Sequence, residues 1–193
     1  GDTQAVEHAI IAPERRAVQT VTADPLVADL LRFDWFQSAG QREALRSACL
    51  TPPGSTILTV LPTGAGKSLI FQFVALHGWE RQGMVLVIVP TVALARDQER
   101  RFQELARRTG RPQPPGQRLA YHSGLATEER EAIRQAIREC RQPILFAAPE
   151  SVLASLRPSI LCAAERGGVS YFAVDEAHIV TQWGDFRPHF QAL

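Results

Sequence analysis

Residues 56–68 read Thr-Ile-Leu-Thr-Val-Leu-Pro-Thr-Gly-Ala-Gly-Lys-Ser. The first half, Thr56–Leu61, is apolar and β-branched, the composition of a strand. Pro62 ends it, and Thr63-Gly64-Ala65-Gly66-Lys67-Ser68 opens a pattern of Leu69, Ile70, Phe73 and Val74 at helical spacing. A strand, a glycine-rich turn and a helix in that order are the context a phosphate-binding loop requires. The glycines let backbone N–H groups curl around phosphate oxygens, and the helix N-terminus adds partial positive charge. Lys67 is placed to reach the β- and γ-phosphates of a nucleotide and Ser68 to put its hydroxyl on Mg²⁺, with Thr63, Gly64, Ala65, Gly66 and Leu69 completing the cradle. The strict pattern G-x-x-x-x-G-K-[ST] is not met, because Leu61 stands at the first glycine position.

The same lysine stands out in the composition. The chain has 193 residues and 21 basic side chains against 20 acidic ones, and Lys67 is the single lysine among arginines. A guanidinium fork is too bulky for a tight backbone nest, which is a reason for lysine at this one place. A net charge near +1 excludes a basic tail or an acidic solvating chain. Cys49, Cys140 and Cys162 have neither metal-ligand spacing nor an even count, so they are expected to be small buried hydrophobes in a reducing cytosol. The longest apolar runs are of strand length, far below the ~18 residues of a membrane helix, and no secretory signal is visible. The expectation is a cytoplasmic protein without a membrane partner.

Outward from the loop, short apolar runs alternate with helical patterns. Strands are expected at Thr56–Leu61, Met84–Val89, Arg118–Tyr121, Pro143–Ala147 and Ser170–Asp175, and helices near 39–50, 67–79, 92–109, 127–140 and 151–166. The runs lack alternation, as strands buried on both faces do. Thr127 is the expected cap of its helix, with Glu128 and Glu129 in the first turn. The fold class is α/β: a mostly parallel sheet with helices on both faces. Residues 1–32 read as a helical or irregular N-terminal extension, and Thr109–Gln117 as a Pro/Gly-rich loop.

The last expected strand runs into Asp175-Glu176-Ala177-His178. It delivers two carboxylates to the sheet edge where the phosphate loop opens. Asp175 can hold Mg²⁺ through its water shell, and Glu176 can orient and deprotonate an attacking water.

With both motifs in view, Leu-Pro-Thr-Gly-Ala-Gly-Lys-Ser (61–68) and Asp-Glu-Ala-His (175–178) resemble superfamily 2 helicases. Thr181-Gln182-Trp183-Gly184 and Asp185-Phe186-Arg187-Pro188 narrow the resemblance to the RecQ-like group, whose aromatic-rich loop senses single-stranded DNA and couples it to ATP hydrolysis. Val89-Pro90-Thr91 through Asp97-Gln98 matches the group's DNA-contacting motif, and Ala147-Ala148-Pro149-Glu150 its Ala-Pro-Glu segment. The resemblance implies a RecA-like P-loop NTPase domain over residues 33–193, C-terminally incomplete, with a second RecA-like domain to follow and arginine fingers supplied by it. It implies ATP and Mg²⁺ as cofactors, His178 as a further catalytic residue, and single-stranded or forked DNA as partner. The DNA-binding residues so implied are Thr91, Arg96, Trp183, Phe186 and Arg187. The aromatic loop departs from the group's pattern by lacking the histidine between Trp-Gly and Asp-Phe-Arg.

Gln41 carries two readings. By position it is the group's adenine reader, while Ser38-Ala39-Gly40-Gln41 is also a capping box. Most arginines after Thr91 read as a self-paired solvated face, Asp97 with Arg101 and Glu104 with Arg108, leaving Arg96 for a DNA phosphate. Trp183 and Phe186 suit base stacking, or, without the resemblance, the core. The function expected is an ATP-dependent DNA helicase motor, an ATP hydrolase with 3′-to-5′ polarity implied by the resemblance alone. An ATP-gated DNA clamp or sensor without unwinding, and an RNA helicase of the Asp-Glu-Ala-His type, are the alternatives.

Overall fold

The computed structural model describes residues 19–79, 83–112, 114 and 116–177. In chain order its elements are β1 (Val21–Thr22), α1 (Pro25–Leu31), β2 (Trp35–Phe36), α2 (Ala39–Leu50), α3 (Ser68–His77), β3 (Met84–Ile88) and α4 (Val92–Arg108). There follow β4 (Ala120–Tyr121), α5 (Thr127–Arg138), β5 (Ile144–Ala147), α6 (Pro149–Leu153), α7 (Arg157–Glu165) and β6 (Val169–Val174). β4, β5, β3 and β6 form a four-stranded sheet in that order, every neighbouring pair parallel. β1 and β2 make a separate antiparallel pair.

The continuous apolar runs are explained by burial on two sides. On β3, Val85 and Val87 face one core with Phe73 and Leu76 of α3, Phe102 of α4, Leu45 of α2, and Val27 and Leu31 of α1. Met84, Leu86 and Ile88 face the other, with Ile133 and Ile137 of α5, Val152 of α6, and Leu156 and Ala163 near α7. The result is three layers, helix–sheet–helix, the α/β class expected from the alternating pattern. Phe73, Phe102 and Phe146 are fully buried, and each such side chain stabilises the fold by about 1.5–3 kcal/mol.

Local details correct several expectations. Thr56–Leu61 has no partner strand among the described residues, and Leu58 and Val60 are 81% and 83% exposed. Its residues suit a strand, but a strand exists only with a ladder partner, and among the described residues the sheet ends at β6. The helix expected over 151–166 is two, because the chain turns between Leu153 and Arg157. Ala126, not Thr127, is the cap of α5, and its N–H donates to Oε2 of Glu129 at 2.9 Å. Thr127 is already helical, its hydroxyl accepting from Arg130. Glu104 pairs with Arg107 rather than Arg108, while Asp97 takes both Arg101 and Arg100. Cys49 is exposed, whereas Cys140 and Cys162 are partly buried.

Candidate nucleotide site and nucleic-acid face

The phosphate loop is a backbone device. Gly64 and Gly66 have φ of 81° and 70°, left-handed values that side chains resist. Lys67 occupies the N-cap of α3, so the loop delivers its amides to a helix start, where no intrahelical carbonyl claims them. The Lys67 ammonium rests 3.4 Å from the Leu61 carbonyl oxygen. Gln41, 2% exposed, locks this loop from beneath. Its Nε2 donates to the Gly66 carbonyl at 3.1 Å, and its Oε1 accepts from the Gln37 amide at 2.8 Å. Its own N–H donates to Oγ of Ser38 at 3.1 Å. The capping reading is therefore visible, shifted by one residue to the Gln37 amide. These bonds use one of the two hydrogens on Nε2 and one lone pair of Oε1.

Asp175 and Glu176 follow β6. The Asp175 amide continues the ladder, donating to Ile88 oxygen at 2.9 Å, which fixes the carboxylate at the C-terminal end of the sheet. Oδ1 accepts from the Glu176 amide at 3.1 Å and Oδ2 from Nε2 of Gln98 at 3.3 Å. Burial pushes the Asp175 carboxyl up, with the neighbouring Glu176 charge adding to it and Lys67 working the other way. The Lys67 charge is therefore felt at Asp175 although the two are far apart in sequence. Glu176 holds a φ of 56°, a strained value for a non-glycine residue. It sits at the strand end, where the turn aims its side chain.

Gln98 is a participant that sequence reading missed. It is buried, and its Oε1 accepts from the buried Gln72 of α3 at 3.4 Å. A signal existed: the core-facing stripe of α4 runs Ala95, Gln98, Glu99, Phe102, Ala106, with two polar residues where apolar ones are the rule. Glu99 fills its place by accepting from Nε and Nη2 of Arg118, both at 3.1 Å, and from the Leu119 and Ala120 amides at 2.7 and 3.2 Å.

For Mg²⁺, no group of three acidic, His or Cys side chains is gathered among the described residues. The donors on hand, the Ser68 hydroxyl and the Asp175 carboxylate, are hard oxygens. One or two such groups with phosphate and water oxygens suit Mg²⁺, which rarely uses an all-protein cage. On the nucleic-acid side, Thr91 caps α4, its Oγ1 accepting from Leu94 N at 3.2 Å. Arg96 is exposed one turn on. His178, Trp183, Phe186 and Arg187 lie outside the described residues.

A DEAD/DEAH box helicase model matches residues 38–193. The chain belongs to the DEAD/DEAH box helicase family. Its curated relatives in that family are RecQ-type ATP-dependent DNA helicases. The "Probable ATP-dependent DNA helicase RecS" of Bacillus subtilis (strain 168) is 33% identical over 85% of this chain and 30% of its own length. ATP-dependent DNA helicase RecQ of Synechocystis is 36% identical over 70% of this chain and 26% of its own. ATP-dependent DNA helicase Q4 of Homo sapiens is 36% identical over 70% of this chain and 10% of its own. The chain thus spans less than a third of each of these relatives. Among solved structures, the DUF1998 helicase MrfA bound to DNA and AMPPNP matches with TM-score 0.65 and 22% identity, over 86% of this chain and 23% of that one. That likeness supports the RecA-like fold. No described helix is long and apolar enough to cross a membrane.

Proposed function

We propose that this chain is the ATP-binding motor domain of a RecQ-like DNA helicase, coupling ATP hydrolysis to movement along single-stranded DNA and strand separation. What supports the reading is a chain of the DEAD/DEAH box helicase family with Lys67 and Ser68 at the start of α3 and Asp175 and Glu176 at the end of β6, where the Lys67 charge is felt at Asp175. Lys67 swings from the Leu61 carbonyl onto the phosphates, and the loop amides hold the remaining oxygens. Ser68 and Asp175 hold Mg²⁺, which when bound draws off the charge developing between the outer phosphates. Glu176 orients the attacking water and takes its proton. Gln41 keeps the loop shaped from below and reads the adenine edge with its unused donor and acceptor. Thr91 and Arg96 contact the DNA backbone, Trp183 and Phe186 stack on bases beside Arg187, and His178 is a further catalytic residue of the acidic motif. A second RecA-like domain closes over the nucleotide, and the polarity is 3′ to 5′.

The decisive experiment measures ATP hydrolysis and displacement of a labelled strand from a forked duplex by the full-length protein, with Lys67→Ala as the control. Both activities are expected, and both are lost in the variant. Turnover retained by Lys67→Ala means the site is misassigned. Hydrolysis without displacement favours a DNA clamp, and stronger stimulation by RNA than by single-stranded DNA favours an RNA helicase.

A further inference from the structure

The best-buried histidine of the described chain lies beside the arginine assigned to DNA. His122 follows β4 and is 2% exposed, and its Nε2 accepts from Nε of Arg96 at 3.2 Å. A ring that accepts through Nε2 is neutral and carries its proton on Nδ1. That Nδ1 is buried and has no hydrogen-bond partner among the described residues. A buried donor left unpaired in this way is unfavourable for stability, and calls for a functional reason. Gly124 packs against the pair: a Cβ there would stand 3.3 Å from Nδ1 of His122 and 3.4 Å from Nη2 of Arg96.

Among the described residues, three of the other four arginines on α4, all but Arg108, are paired with carboxylates. Arg100 and Arg101 are paired with Asp97, and Arg107 with Glu104. Arg96 meets no carboxylate among the described residues; a neutral ring holds it by Nε. An acid in that place would cancel the charge as it fixed the side chain. The imidazole fixes the side chain and leaves the charge whole on a residue that is exposed.

We propose that His122 is a positioning residue for nucleic-acid binding: its neutral imidazole presets the Arg96 guanidinium for a backbone phosphate. This rests on the reading of Arg96 as a phosphate contact. The charged groups facing the ring are Arg96 and Glu99 of α4, Arg118 ahead of β4, and Glu129 of α5. Burial, then the two arginines, hold the imidazole below its ordinary value, against the opposing pull of the two glutamates. The ring is therefore an acceptor at neutral pH. In acid, a proton on Nε2 turns the acceptor into a donor and repels Arg96.

The test is binding of the full-length protein to a fluorescein-labelled oligothymidylate, followed by anisotropy over a range of salt concentrations. Arg96→Ala is expected to lower the salt slope by about one, the loss of one phosphate contact. His122→Leu produces the same loss, and the double variant is no weaker than Arg96→Ala alone. His122→Gln, which puts a carbonyl oxygen near the place of Nε2, retains wild-type binding. As pH falls below the ordinary imidazole value of about 6.5, the wild type weakens more steeply than His122→Gln, whose acceptor does not titrate. Should His122→Leu not fold, the pH comparison decides alone. A wild-type slope in His122→Leu beside a reduced one in Arg96→Ala, or parallel pH profiles for wild type and His122→Gln, overturns the positioning role and leaves Arg96 as a contact. An unchanged slope in Arg96→Ala overturns the contact itself.

Discussion

A Cβ on Gly66 would lie 2.3 Å from Nε2 of Gln41, on a residue whose φ of 70° already resists a side chain. Gly66→Ala therefore has to displace the glutamine that holds the loop as well as strain the backbone. We expect it to cost about 1–3 kcal/mol of stability and to weaken nucleotide binding, both measurable by thermal unfolding with and without ATP. Asp175 makes the opposite prediction for stability. Its carboxyl is held above the ordinary value in the fold, so the folded state binds that proton more tightly than the unfolded one. The unfavourable contribution to folding is thus absent in acid and grows as pH rises from the unfolded value through the folded one. Asp175→Asn removes it: at neutral pH the variant unfolds at the same temperature as the wild type or higher, while hydrolysis is lost. A lower midpoint would show that the carboxylate is stabilised where it sits.

At the scale of elements, α4 gathers the most roles. It begins at Thr91, carries Arg96 outward, and sends Gln98 to Asp175 and Glu99 to Arg118. Glu99→Ala leaves the Leu119 and Ala120 amides without their acceptor and Arg118 with Glu129 alone, and is expected to destabilise by about 1–3 kcal/mol, read from denaturant unfolding. Gln98→Leu is expected to leave folding near wild type and to raise the Mg²⁺ concentration needed for half-maximal nucleotide binding, because one oxygen of Asp175 loses its orienting donor. An unchanged Mg²⁺ dependence would make Gln98 a packing residue. This helix also marks how far sequence reading reaches. The loop from Thr63 to Ser68 and the pair Asp175-Glu176 stand out as candidates in the sequence because each is a run of neighbours in the chain. The links of Arg96 to His122 and of Gln98 to Asp175 span 26 and 77 positions. They arise only when α4 packs on the sheet, and no local pattern encodes which residue it will meet. Thr56–Leu61 shows the converse limit: composition reports fitness for a strand, and says nothing of whether a partner lies alongside.

At the scale of the whole molecule, two cores lie on either side of one parallel sheet, and the acidic pair and the start of α4 both follow the C-terminal ends of its strands. The DNA helicases it resembles are more than three times as long as the region matched. The resemblance to them implies that a second domain supplies arginine fingers. Residues 1–193 alone are accordingly expected to bind ATP weakly and hydrolyse it slowly, with no marked stimulation by single-stranded DNA. Robust DNA-stimulated turnover by this chain alone would mean that its own residues complete the site.

β6 has a bearing on how the isolated chain behaves in a tube. It is six residues long, pairs with β3 on one side, and among the described residues ends the sheet on the other, with Phe172 51% exposed. Unpaired backbone groups beside exposed aromatic surface are a template for another strand, including that of a neighbouring molecule. Light scattering by the purified chain should therefore rise with concentration, and Phe172→Lys should suppress it by placing a charge on the open strand. The practical lesson is one of handling: solubility, ahead of catalysis, will set the concentration at which this chain can be studied alone.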